Sequence, residues 1–141
     1  MQNKKDIASG LFGNFNCSTS VFTAFCEDYG LDLDTARRMA GGLGGGCHAG
    51  EVCGAVSGAV LVIGLKYGQD QAGDNDTRTL CYEKTDAFIK AFLEKNPALT
   101  CRDLLDVDIT TPEGNVLKMQ KRHICVNAVE SAAEILEDQG Y

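Results

Sequence analysis

Nowhere in this sequence do two cysteines stand three residues apart, although it holds seven of them. Zinc modules and ferredoxins draw ligands from closely spaced pairs such as C-x-x-C, so neither class fits. Covalent haem attachment needs C-x-x-C-H and is excluded with them. There is no Walker lysine, which removes the P-loop. Gly44-Gly45-Gly46-Cys47-His48-Ala49 matches a dinucleotide fingerprint by letter alone, because the segment before it reads as a helix and not the required strand.

Basic charge is also scarce. The formal net charge is −7 and no Lys/Arg cluster of the kind that marks a nucleic-acid groove or an anionic membrane surface is present, so neither partner is expected. The longest apolar run, Val52 to Leu65, is broken by Gly54, Ser57, Gly58 and Gly64 and falls short of the roughly 20 residues that span a bilayer. It reads as a buried helix. The opening MQNKKDIASGLFGNFN lacks an apolar core followed by a small-residue cleavage site, so a cytoplasmic protein is expected. No alternating run of β-branched residues, internal repeat or low-complexity segment appears. With 141 residues, the chain fits one globular domain, 1–141.

What is present is helical spacing, with apolar positions recurring at three and four residues. The expectation is an all-α domain of about six helices around a buried, glycine-rich central helix. A short helix covers Lys4 to Phe12. Asn16 caps a second, with Cys17, Val21, Ala24 and Phe25 on one face, ended by Gly30. Asp34 opens a short third helix through Ala40, after which Gly41 to Gly46 is too glycine-rich for regular structure. The central helix, about 17 residues long by its caps, has Glu51 in its first turn, Lys66 in its last and Gly68 beyond. After a loop from Gln69 to Asn75, Asp76 or Thr77 caps a helix that Pro97 stops at Asn96. Thr100 caps a short helix at Cys101. Thr111-Pro112-Glu113-Gly114 reads as a type I turn, followed by one long helix ending near Gly140.

Seven cysteines in a reducing compartment point to metal or redox chemistry rather than a disulfide framework. Cys17, Cys53 and Cys101 fall where helices begin, where unpaired N–H groups favour the thiolate. Cys125 lies on the apolar face of the last helix with Val129, Ala132 and Leu136. Gly50, Gly54 and Gly58 form a small-residue face that lets a backbone or a cluster approach. Cys26 and Cys81 read as core thiols, whereas Cys47, six residues before Cys53, reads as a spare ligand or resolving thiol. His48 and His123 read as solvated or hydrogen-bonded side chains.

These residues resemble a family of small redox-active proteins named for a C-GCAxxG-C-C cysteine pattern. The resemblance spans most of the chain. It rests on Asn16-Cys17, the glycine loop Gly41 to Gly46, Cys53-Gly-Ala-x-x-Gly58 running into Leu-Lys-Tyr-Gly68, Cys101 before Arg-Asp-Leu-Leu, and Cys125. It implies that Cys17, Cys53, Cys101 and Cys125 are the characteristic cysteines. A related helical segment accompanies the iron–sulfur centre of split-Soret cytochromes, which implies an iron–sulfur cluster here. The expected function is electron transfer with a redox partner protein, those four thiolates as metal ligands and Gly54 and Gly58 close to the cluster. An oxidised 2Fe–2S centre with four thiolates carries about −2, which three helix N-termini of about +0.5 each largely offset. Two alternatives use the same cysteines: thiol–disulfide cycling without a cofactor, for which Cys47 and Cys53 are the locally available pair, and a zinc-binding or structural helical protein. A homodimer is compatible with each.

Overall fold

Asparagine, aspartate and threonine open most helices of this chain, as their short side chains dictate. Asn3, Asn16, Asp32, Asp74, Thr100 and Thr111 each accept the backbone N–H three residues on. The computed structural model describes residues 2–141. It contains eight α-helices: α1 (Lys4–Leu11), α2 (Cys17–Thr23), α3 (Leu33–Ala40), α4 (Gly54–Tyr67), α5 (Asn75–Lys95), α6 (Cys101–Leu105), α7 (Pro112–Gln120) and α8 (Arg122–Asp138). No strand occurs among the described residues, and no helix there is long and apolar enough to cross a membrane.

The all-helical class is therefore as expected, but eight α-helices replace about six. The extra boundary lies in the final segment. Thr111 Oγ1 accepts from Gly114 N and Pro112 takes the first helical position, so the anticipated turn is instead the start of α7. At Lys121 the backbone leaves helical geometry (φ −107°, ψ 20°), and α8 begins one residue later. Further differences are smaller. The Asn16-capped helix stops at Thr23, and a 3-10 turn over Cys26–Tyr29 carries the chain to Gly30. Asp32 rather than Asp34 caps α3, and Asp74 rather than Asp76 caps α5. Glu51 lies outside α4, whose 14 residues start at Gly54.

α4 is the central helix. Its apolar sequence faces neighbours on several sides: it packs against α2, α5 and α8, while α1 lies along α8. The main core gathers Phe22, Phe25, Phe88, Phe92, Ile63 and Leu136, all buried. A second, small cluster of Cys101, Leu105 and Ile109 sits beside it, with Ile124 packed against both.

The α2–α4 contact depends on Gly58. A Cβ there would lie 2.5 Å from the carbonyl oxygen of Ser18 and 3.0 Å from its Cα, so α2 must move to admit it. Gly64, exposed on the same helix, has nothing within 4 Å of such an atom. Gly58→Ala is expected to destabilise by about 2–3 kcal/mol through overpacking. Gly64→Ala is expected to stabilise by about 0.5–1 kcal/mol through backbone entropy. Urea denaturation of the two variants reads both signs, and equal effects would remove this account of the contact.

Candidate functional site

Cys17 is the first residue of α2, and its position is set by Asn16. The Asn16 Oδ1 accepts from Thr19 N (2.9 Å) and Ser18 Oγ (2.8 Å), and its Nδ2 donates to Gly41 O (3.0 Å). The start of α2 is thereby tied to the glycine loop. Cys53 and Cys101 are held together by backbone. Val52 and Thr100 form an isolated antiparallel bridge, in which Cys53 N–H donates to Leu99 O (2.9 Å) and Cys101 N–H to Glu51 O (2.7 Å). Cys53 is the N-cap residue of α4 and Cys101 the first residue of α6. Cys125 stands in the first turn of α8, because the interruption at Lys121 restarts the helix.

Cys17, Cys53, Cys101 and Cys125 line one cavity of about 390 Å³. Cys53 belongs to the main core and Cys101 to the small cluster, so the cavity lies along the seam between the two. Gly44, Gly45 and Gly54 form part of its wall. A Cβ on Gly54 would collide with Cys17 Sγ and come within 3.2 Å of Leu43 O, so the Cys17 sulfur rests directly on the start of α4. Gly58, by contrast, serves the α2 contact and is absent from the lining, and Gly50 precedes α4 in a wide turn over Gly46–Gly50.

Burial governs the ionisation of these thiols. It pushes Cys53 up to about 12, assisted by repulsion from Cys17, against the lowering effect of the Ala55 and Val56 N–H groups. Cys101 is raised by burial above all, with Lys118 opposing and Cys17 reinforcing. Cys125 is raised by burial and then by Cys17, while Lys118 and Arg122 pull the other way. The thiolate character anticipated from helix starts is thus reversed at Cys53 and Cys101. Desolvation exceeds a dipole worth about half a charge, and α6 has only five residues to build one.

Among the described residues no three His, Cys, Asp or Glu side chains stand close enough to hold a single metal ion. A tetrahedral zinc with Zn–S bonds of about 2.3 Å needs sulfurs about 3.8 Å apart. The thiols that share this cavity are spread more widely than one such ion requires.

The other cysteines stay outside. Cys26 is buried in the main core and Cys81 is partly buried on α5. Cys47, expected near Cys53, is instead exposed in the Gly46–Gly50 turn with φ 57° and does not line the cavity. Its neighbour His48 does. Lys118 also lines it, a half-buried cation from α7 that no sequence motif marks. Its only signal was a spacing of seven residues from Cys125. In metal-free protein at pH 7, iodoacetamide is expected to modify Cys47 first and Cys53 and Cys26 last, read as a mass-spectrometric time course. Equal rates at Cys47 and Cys53 would contradict the burial described above.

The profile of the family described as "Putative redox-active protein (C_GCAxxG_C_C)" matches residues 15–139. Among curated proteins, an uncharacterized protein of Archaeoglobus fulgidus is 28% identical over 137 residues, covering 88% of this chain and 86% of its own. No solved structure matches.

Proposed function

This chain belongs to the C_GCAxxG_C_C family of redox-active proteins, and from that premise we propose that Cys17, Cys53, Cys101 and Cys125 hold an iron–sulfur cluster for electron transfer. The observation that carries the reading is the convergence of these thiols, from four distant segments, on one cavity. When bound, such a cluster supplies one-electron chemistry at a potential set by its surroundings.

The residues present suit that group. The donors are soft sulfurs, which iron–sulfur centres take in preference to oxygen ligands. No three of them stand close enough for a single ion, so a group held here would have to reach sulfurs on several sides of the cavity. A volume of about 390 Å³ exceeds the roughly 30 Å³ share of one water molecule many times over. Gly44, Gly45 and Gly54 leave backbone bare at the wall, where N–H groups tune sulfur ligands. Leu104, Ile124 and Ala128 make part of its lining apolar. Lys118 offsets part of the negative charge that four thiolates bring. Thiols held protonated by burial release their protons on metal uptake, so loading is coupled to pH.

The same features weigh against the alternatives. Disulfide cycling needs a thiolate, and burial disfavours it at Cys53, Cys101 and Cys125. The Cys47–Cys53 pair would join an exposed turn to a buried sulfur. Zinc would need the thiols to close up. Protein purified without oxygen is expected to show visible charge-transfer absorption, bound iron and acid-labile sulfide. Colourless, iron-free protein after careful reconstitution would remove the cluster, and bound zinc without a redox response would favour the structural alternative.

A further inference from the structure

In a chain of net charge −7, no aspartate or glutamate lines the thiol cavity, and none lines the pocket of about 460 Å³ that adjoins it. The two share Phe12, Lys118 and Cys125, and the second adds Asn115, Met119 and Arg122. Among the described residues five of the thirteen lysines and arginines are in ion pairs with carboxylates, Lys4 with Asp28, Lys95 with Glu134 and Arg102 with Glu51 among them. Among the described residues, Lys118 and Arg122 are in no ion pair within 4.0 Å.

Arg122 is nevertheless held in place. Its guanidinium lies over the Phe12 ring, 4.5 Å from the centroid, and donates one hydrogen bond to Phe12 O (3.3 Å). That leaves most of its donors free, in the planar fork that suits carboxylates and phosphates. Lys121 Nζ donates to Leu105 O and anchors the α7–α8 junction to α6, fixing the ground on which both cations stand. α8 opens with no side-chain cap, so its positive end adds to theirs. Phe12 and the largely exposed Met119 supply the apolar part of the wall.

We propose that this pocket binds a small organic anion, a carboxylate or a phosphate ester with a short apolar body. The charge sits between Lys118 and Arg122, the body against Phe12 and Met119. Cys125 borders both spaces, so the bound molecule lies next to the thiol cavity. The proposal does not rest on the cluster reading, because the groups that carry it need no metal.

The test uses the full chain, metal-free and reduced, at low salt, followed by amide chemical shifts. The probes are benzoate, phenyl phosphate, inorganic phosphate and the neutral benzyl alcohol. Saturable shifts at Asn115, Met119 and Arg122 are expected with benzoate, phenyl phosphate or both, and whichever binds more tightly identifies the anion. Lys118→Gln and Arg122→Gln should each weaken that binding about tenfold or more, as loss of a charge-assisted contact does, with Lys118→Arg restoring it. Equal binding of benzyl alcohol, equal binding of inorganic phosphate and phenyl phosphate, no saturable shift, or unchanged affinity in both glutamine variants would each overturn the proposal. Folding of the variants is read from the dispersion of amide signals remote from the pocket.

Discussion

Cys53→Ser is expected to reduce bound iron and acid-labile sulfide to background while leaving the helical circular dichroism in place. Cys53 is fixed on both sides: its N–H is tied to Leu99 O, and its carbonyl accepts from Val56 and Ser57 at the start of α4. Its Cα is therefore fixed at the cavity wall, and no cysteine outside the four stands beside it to substitute. Cys47 is exposed outside the cavity, and Cys26 and Cys81 belong to the main core or its edge. Serine keeps the size and removes the soft donor. The loss should exceed the roughly 10–100-fold reduction in metal affinity that follows removal of a merely supporting group. Cys26→Ser and Cys81→Ser serve as controls and should keep their iron. Full iron and sulfide in Cys53→Ser would remove this residue from the ligand set.

The second large effect is on alkaline stability without metal. Burial raises Cys53 from 9.0 to about 12, so between those values the folded state keeps a proton that the unfolded chain has released. The stabilisation is complete below pH 9 and is lost as pH rises toward 12. At about 1.4 kcal/mol per unit this single group contributes about 4 kcal/mol of lost stability across the window. Cys101 and Cys125 are raised as well and act in the same direction, as does Tyr141, pushed up to about 12 mainly by burial. Urea denaturation of the reduced, metal-free protein at pH 7, 9 and 10.5 measures the fall. Cys53→Ala should start from lower stability, because it opens a void, but decline less steeply with pH. Identical slopes in the two proteins would show that Cys53 is not protected in this way.

The helices that were legible from sequence are those whose signals are local. Asn16 and Thr100 are cap residues, and each opens a helix at the cysteine that follows it. Pro97 and the glycines of α4 likewise act where they stand. The α7–α8 break was not legible, since Met119-Gln-Lys-Arg-His contains no glycine or proline. It is held by partners far along the chain, Leu105 for Lys121 and Phe12 for Arg122. Thr111-Pro112 was ambiguous for another reason. A proline φ near −65° suits a turn and a first helical turn equally, and only the Gly114 N–H on Thr111 Oγ1 separates them. For the candidate site, helix starts marked Cys17, Cys53 and Cys101, and only the family resemblance added Cys125 to the four cysteines that share a cavity. Neither could supply their protonation, because burial is a property of the packed seam and not of a helix start. Lys118 carries no local signal, because its place at the thiols depends on the interruption three residues later.

The rung between Val52 and Thr100 has a mechanical consequence. Two of the sulfurs ride on a common backbone brace, so any widening of the cavity swings Cys53 and Cys101 together, as one jaw. The opposing jaw is the elbow of α7 and α8, carrying Lys118 and Cys125 on either side of its joint at Lys121. Because Lys121 Nζ donates to Leu105 O at the end of α6, the elbow is itself tied to the braced side, and the two walls of the cavity are linked rather than independent.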